Sequence, residues 1–247
     1  KIKVTLETEG QGTYETSLVT RISTGVGVPD IAMFHNENLP SLQRSHLFQP
    51  IDRIISKANI DLKASDFPDG VMKNNIIANK LFGVSIDAHS EVVLYRKDLL
   101  EKYNLSFPTN FDEFINAAYT IQEGERAAGK TDFNGLSLAP GCFGNYQYTW
   151  YTSILQNGGS LLDPETARPN WNVGNNKNAF LTAAQEFKDI FYGTKAIAPY
   201  GETETQPDTN FATGKCAFSF NYTWCLKDIF KRISITNLMK MLVVLQI

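Results

Sequence analysis

Hydrophobic and polar positions alternate at the start of the chain. Lys3–Thr8 puts Val4 and Leu6 on one side and Lys3, Thr5 and Glu7 on the other, the two-residue period of a β-strand. Gly10 and Gly12 interrupt it. The period then lengthens: Tyr14, Leu18 and Ile22 recur at every fourth position, which predicts a helix over Tyr14–Thr24 with Gly25 as its stop. Pro29-Asp30-Ile31-Ala32-Met33-Phe34 reads as a short buried strand. Strand, helix and strand in so short a stretch is the βαβ pattern of a parallel sheet.

Further along, Asn38–Ser45 reads as a short helix and Leu47–Asp52 as an irregular connection. Leu81–Val84 and Glu91–Tyr95 read as strands, and Asp98–Tyr103 as a helical turn that ends ahead of Pro108. Thr109-Asn110-Phe111-Asp112 predicts a helix start with Thr109 as the cap. Phe111, Phe114, Ile115, Ala118 and Tyr119 line one face of that helix to about Gln122. Asn178–Tyr192 is the clearest helix, because Phe180, Ala183, Ala184, Phe187, Ile190 and Phe191 share one face and Gly193 closes it. Phe211–Lys215 turns into a strand over Cys216–Phe220. Ile233–Ile247 is basic and apolar without turn or cap signals, and reads either as a helix or as a tail foreign to the fold.

Composition narrows the class. The 247 residues, 43% hydrophobic and 12% aromatic, are enough for one large domain or two modest lobes with a proper core. A net charge of −3 without clustered Lys or Arg argues against nucleic acid and against a polybasic membrane anchor. The apolar runs, such as Met241–Leu245, fall well short of the roughly 20 residues a spanning helix needs. The opening Lys-Ile-Lys-Val carries no leader pattern, which fits a mature form, a fragment or a cytosolic protein alike.

Candidate chemistry is sparse. Cys142, Cys216 and Cys225 lack CxxC spacing, so neither a disulfide framework nor a zinc site is expected, though a Cys216–Cys225 bridge stays open. His35, His46 and His89 have no metal-ligand spacing. No GxSxG elbow, Walker A loop or dinucleotide fingerprint is present, and Gly25-Val26-Gly27-Val28 runs into Pro29 instead of a helix. No metal and no cofactor are therefore expected. A glycosidase's paired carboxylates are a spatial feature that spacing along a chain neither shows nor excludes.

Six segments in order resemble the family 1 extracellular solute-binding proteins, the maltose-binding-protein-like, sugar-binding components of ABC importers. They are Gly12–Phe34, a helix, then Gly, then a Pro-Asp-Ile strand; Leu47–Asp52, "LFQPID"; and Leu81–Leu100, "LFGVSIDAHSEVVLYRKDLL". The others are Pro108–Ala118, "PTNFDEFINAA"; Trp150–Leu162, "WYTSILQNGGSLL"; and Phe211–Phe218, "FATGKCAF". Ser85 stands where the family has Pro, Arg96 where it has Asn and Phe111 where it has Trp. Family members carry a strand and a helix before the equivalent of Lys1 and continue beyond that of Phe230, so the resemblance implies an incomplete copy.

The resemblance implies an α/β, two-lobed periplasmic-binding-protein-like fold with a hinge, with lobes over 1–97 and 98–247. It implies a non-enzymatic, monomeric, extracytoplasmic protein, in the periplasm or lipid-anchored at the cell surface. Such a protein takes a mono- or oligosaccharide between its lobes and delivers it to ABC permease subunits. Ligands sit outside the carboxyl ends of parallel strands, which singles out Asn36 and Glu37, Asp87 and His89, Trp150, Gly158 and Gly159, and Asn221 and Trp224. Carboxylates and amides pair sugar hydroxyls, Trp stacks on the C–H face of a pyranose, and paired glycines let backbone approach closely. A glycosidase-like enzyme and a non-functional remnant of a binding protein are the alternatives.

Overall fold

The computed structural model describes residues 3–35, 38–44, 46, 48–63, 66–67, 70–138, 145–163, 168–203, 205–233 and 241–245. The chain divides into two compact units, Lys1–Ala88 and His89–Ile247.

The first unit is built around helix α1, Gln11–Thr24, which ends at Gly25 in the left-handed conformation (φ 71°). Short helices α2, Leu39–Arg44, and α3, Asp52–Lys57, follow. Strands β1, Ile76–Ile77, and β2, Lys80–Leu81, form a two-residue antiparallel ribbon. The two flanking strands expected around α1 do not form among the described residues. Val4 and Leu6 are exposed, and Ile31 is 90% exposed. Alternation defines two faces, but a strand needs a neighbour's N–H and C=O groups to become one. Here the chain on both sides of α1 is tied to it by side chains instead. The Arg21 guanidinium donates to Glu7 and Glu9 at 2.7 and 3.2 Å, and Glu15 accepts from the His35 backbone N–H at 3.2 Å.

The second unit carries a mixed sheet. Its strands are β3, Glu91–Arg96; β4, Asn134–Ser137; β5, Cys216–Tyr222; and β6, Met241–Leu245, in the order β4-β5-β3-β6. β4 and β5 are parallel, whereas β3 is antiparallel to both β5 and β6. Helices α4, Lys97–Lys102; α5, Phe111–Ala127; α6, Asn145–Gln156; α7, Asn175–Phe191; α8, Gln206–Ala212; and α9, Leu226–Arg232 surround it. Residues 241–245 of the tail are thus a strand in register with β3, Arg96 opposite Met241 and Val92 opposite Leu245. Residues 234–240 lie outside the described residues. An apolar run this short has no period to separate helix from strand, and the available edge of β3 decides it.

The cores lie on the two faces of the sheet. Tyr95, Leu136 and Phe218 share one core with Phe114, Ala118 and Ile121 of α5 and with Phe187 and Ile190 of α7. Val92 and Leu94 share the other with Phe211 of α8 and with Cys225 and Ile229. Cys216 and Cys225 are both buried free thiols, so the bridge left open by the sequence is not made. The cap of α5 is shifted by one residue from expectation. The Asn110 side chain accepts from the Glu113 N–H at 3.0 Å, and the Glu113 carboxylate returns to the N–H and hydroxyl of Thr109 at 2.8 and 2.9 Å. Asn110 sits three residues before Glu113, the reach a capping box requires.

Glu125, on the last turn of α5, is fully buried. Burial pushes its carboxyl up, but hydrogen bonds from Lys102, Lys130 and Tyr103 outweigh that and bring it down to about 2. The Lys102 ammonium stands 2.5 Å away and the Tyr103 hydroxyl 2.9 Å.

Candidate functional site

The strand directions bring three chain ends to one rim of the second unit's sheet. β4 and β5 run parallel and finish there; β3, antiparallel to β5, begins there, with Glu91 opposite Tyr222. Side chains just outside the carboxyl ends of parallel strands are the usual place for a ligand in an α/β sheet. The pairing continues one step past β3: the Thr223 N–H donates to Ser90 C=O at 3.0 Å, and the Ser90 N–H donates to the Thr223 hydroxyl at 3.3 Å. Thr223 therefore pins the approach to β3, and its hydroxyl also lies 3.5 Å from His89 Nδ1.

One turn of 3-10 helix, Thr223–Cys225, follows β5. It anchors Cys225 in the core and leaves Trp224 44% exposed. From α6, the Thr149 hydroxyl donates to Glu91 Oε1 at 2.6 Å. His89, Glu91, Thr149, Thr223 and Trp224 thus occupy one strand-end region. It offers an imidazole, a carboxylate, the Thr223 hydroxyl and an indole with much of its surface open, with the buried Thr149 hydroxyl bracing the carboxylate from behind.

The residues singled out from the sequence separate into groups. His89 and Trp224 belong to this rim and are exposed. Asn221 lies beneath it, buried, directly opposite Val92 and so on the face away from Glu91; its Nδ2 donates to the Ser219 hydroxyl at 2.7 Å. Trp150 is half-buried on α6, next to Thr149, with its ring edge-on to Phe180 at 5.7 Å. Gly158 and Gly159 end α6. Gly158 has φ 75°, and a Cβ on buried Gly159 would lie 2.7 Å from that of Ala179, so this pair shapes the closure of α6 on α7. Asp87 belongs to the first unit, where it is exposed and accepts from the Ala88 N–H at 2.9 Å. Asn36 and Glu37 lie outside the described residues.

Sequence reasoning missed Glu91, Thr149 and Thr223 at the rim. Glu91 entered the sequence reading only as the first residue of a strand, and the Thr149 bond joins residues far apart in the chain. It also missed the polar layer under the rim. Ser137, Ser219 and Asn221 are buried on one face, with the Glu202 carboxylate accepting from the Ser137 hydroxyl at 2.7 Å, the Leu138 N–H at 2.9 Å and Asn210 Nδ2 at 2.7 Å. Burial pushes the Glu202 carboxyl above its ordinary value, and these three donors offset only part of that. Glu202 stands in a run of polar residues, Gly201-Glu202-Thr203-Glu204-Thr205, that gives no sign of burial.

In the first unit, Thr13, Thr16, Ser17, Thr20 and Arg21 line an open groove of about 430 Å³ along α1. Its guanidinium is already held by Glu7 and Glu9. Among the described residues no group of three or more His, Cys, Asp or Glu side chains is placed to hold a metal ion. No helix among them is long and apolar enough to cross a membrane.

Known proteins resemble this chain over most of its length. The model of the bacterial extracellular solute-binding protein family matches residues 1–231. A probable ABC transporter-binding protein of Deinococcus radiodurans is 27% identical over 199 residues, 75% of this chain and 42% of that protein. The GacH receptor of Streptomyces glaucescens, whose structures include complexes with acarbose, superposes with a TM-score of 0.74 at 21% identity over 95% of this chain and 56% of that one. UgpB of Mycobacterium tuberculosis, in complex with glycerophosphocholine, superposes with a TM-score of 0.76 at 16% identity over 96% of this chain and 55% of that one. These likenesses show an α/β periplasmic-binding-protein fold. The chain spans a little over half the length of these structures and less than half that of the curated relative.

Proposed function

Because the chain belongs to the bacterial extracellular solute-binding protein family, we propose that it serves as the extracytoplasmic solute-binding part of an ABC importer, taking a mono- or oligosaccharide and passing it to membrane permease subunits. In that reading residues 1–97 and 98–247 supply the two lobes, and the solute lies between them. The observation that carries the sugar reading is the second unit's strand-end rim, where half-exposed Trp224 follows Thr223, the Thr223 hydroxyl lies 3.5 Å from His89 Nδ1, and Glu91 begins the neighbouring strand. An open indole face takes the C–H face of a pyranose, and an ionised carboxylate, which only accepts, pairs with hydroxyl donors. His89, Trp224 and Asp87 are the proposed contacts, with Asn36 and Glu37 from the first lobe; Trp150, Gly158, Gly159 and Asn221 shape the region behind them.

No bond is made or broken in this function. A solute favours a closed arrangement of lobes only by its differential affinity for that arrangement. A glycosidase-like activity is the competing reading, since carboxylates and tryptophans also line such clefts.

Thermal unfolding of the chain with maltose, maltotriose, mannitol and glycerophosphocholine tests the proposal. A solute at about 100 times its Kd adds roughly 2.7 kcal/mol to stability. A rise confined to the carbohydrates supports the reading. A rise with glycerophosphocholine alone, or release of label from a chromogenic oligosaccharide, overturns it.

A further inference from the structure

The polar layer beneath the rim ties strand ends to helix α8. Glu202 accepts from three donors on two other segments: the Ser137 hydroxyl and Leu138 N–H at the end of β4, and Asn210 Nδ2 on α8. Asn210 Nδ2 also reaches the Ser137 hydroxyl at 3.1 Å, closing a triangle. From the same helix, the Pro207 carbonyl accepts from the Ser219 hydroxyl at 3.3 Å, and Ser219 in turn accepts from Asn221 Nδ2 at 2.7 Å. Ser137 and Ser219 are partners in the parallel register of β4 and β5. Ser137, Glu202, Ser219 and Asn221 are all buried. Buried polar groups with every partner in place fix one arrangement, because an orphaned donor there keeps its full desolvation cost.

We infer that Glu202 is a positioning residue for the rim: its carboxylate holds α8 against the end of β4, and α8 holds Ser219 and Asn221 at the end of β5, next to Thr223 and Trp224. The functional consequence rests on the solute reading above, but the positioning itself does not.

Three converging donors suit the ionised carboxylate, which has only acceptor positions. Glutamine in its place puts an amino group against at least one of these donors, which must let go, and protonation removes the charge that holds all three. The carboxyl takes up its proton above the ordinary glutamate range because it is buried. The loosening is therefore expected in mildly acidic solution. The other titratable or charged groups on the packed elements are the buried Cys216 thiol on β5, which burial keeps neutral, Tyr222 at the end of β5, Glu91 and Arg96 on β3, which pairs with β5, and buried Asp208 on α8. Asp208 and His89, whose ring lies 3.5 Å from the Thr223 hydroxyl, are the ones that need separating.

Hydrogen–deuterium exchange of the full chain, from about pH 4.5 to about pH 8 and corrected for intrinsic rates, reads this directly. Wild type is expected to lose about tenfold protection over 134–138 and 216–224 as Glu202 takes up its proton, while α5 is unchanged. E202Q shows the lower level at every pH with no inflection, E202D restores part of the protection, and D208N and H89N each keep the inflection. The inference is overturned if E202Q loosens 134–138 but leaves 216–224 as in wild type. It is overturned equally if the inflection survives in E202Q, or if α5 loosens by the same factor. Maltotriose titration then reads the consequence, with binding to E202Q about tenfold weaker at neutral pH. If wild type binds no carbohydrate yet the exchange pattern holds, the Glu202 inference stands and the solute reading falls.

Discussion

Two residues show how environment sets what a side chain does. Glu125 is fully buried yet held by two ammonium groups and a phenol, which brings its carboxyl down to about 2. A folded-state value below the unfolded one means stability that is fully present above the ordinary value and lost as pH falls through the folded value. E125Q should therefore cost about 1.5–3 kcal/mol at neutral pH, the range for hydrogen bonds to a charged group. The gap from wild type should narrow below about pH 4.5 and close near pH 2, read from denaturant midpoints across that range. Equal gaps at all pH would mean that the carboxylate's charge plays no part. Trp224, exposed over 44% of its surface, has the opposite character. Trp224→Ala should leave the melting temperature within a degree or two, since substitutions at open positions are usually within about 0.5 kcal/mol. The same change should weaken carbohydrate binding by roughly 30-fold, the 2 kcal/mol scale of a stacking anchor. A calorimetric titration with unchanged Kd would remove it from the site.

At the scale of elements, α5 organises the second unit. Its amino end is closed by the reciprocal bonds of Asn110 and Glu113, and Asn110→Ala should cost about 1 kcal/mol of stability in urea unfolding. Its middle lies so close to β4 that a Cβ on Gly135 would stand 2.6 Å from the Ala118 carbonyl oxygen. Backbone cannot give way as a flexible side chain can, so Gly135→Ala should cost about 1–3 kcal/mol, more than the loss of the cap. The reverse order would mean that α5 shifts off the sheet at little cost. Both features were partly visible in the chain. The cap needed only spacing, misjudged by one residue, because Thr109 and Asn110 are both good caps. The approach of α5 to Gly135 was not legible, because it joins residues from separate elements.

At the scale of the molecule, the two units differ in how much they bury. The first has Leu18, Leu39, Leu42 and Phe82 as its buried apolar side chains among the described residues, whereas the second has two contiguous cores. Protection from exchange follows buried contacts and ladder bonds. The slowest-exchanging amides should therefore fall in β3, β5, α5 and α7, with α1 exchanging faster. Protection of α1 as strong as that of β5 would show that the first unit is held by more than these contacts.

The sequence by itself determined the helices with long apolar faces, α5 and α7, and the strands with strong β formers, β3 and β5. Periodicity and turn residues act within a few positions of one another, so a single chain displays them. It also carried the family, through six motifs in order. Tertiary structure decided the rest. Val4, Leu6 and Ile31 sit in strand-like patterns without a strand, because a ladder needs a neighbour that local pattern cannot supply. Met241–Leu245 is a strand because β3 offers it an edge. Glu91 meets Thr149, and Glu202 meets Ser137 and Asn210, only because the fold folds distant segments onto one sheet end. Hydrogen bonds between remote residues leave no trace in spacing, which is why His89 and Trp224 were singled out from the chain while Glu91, Thr149, Thr223 and the buried carboxylate beneath them were not.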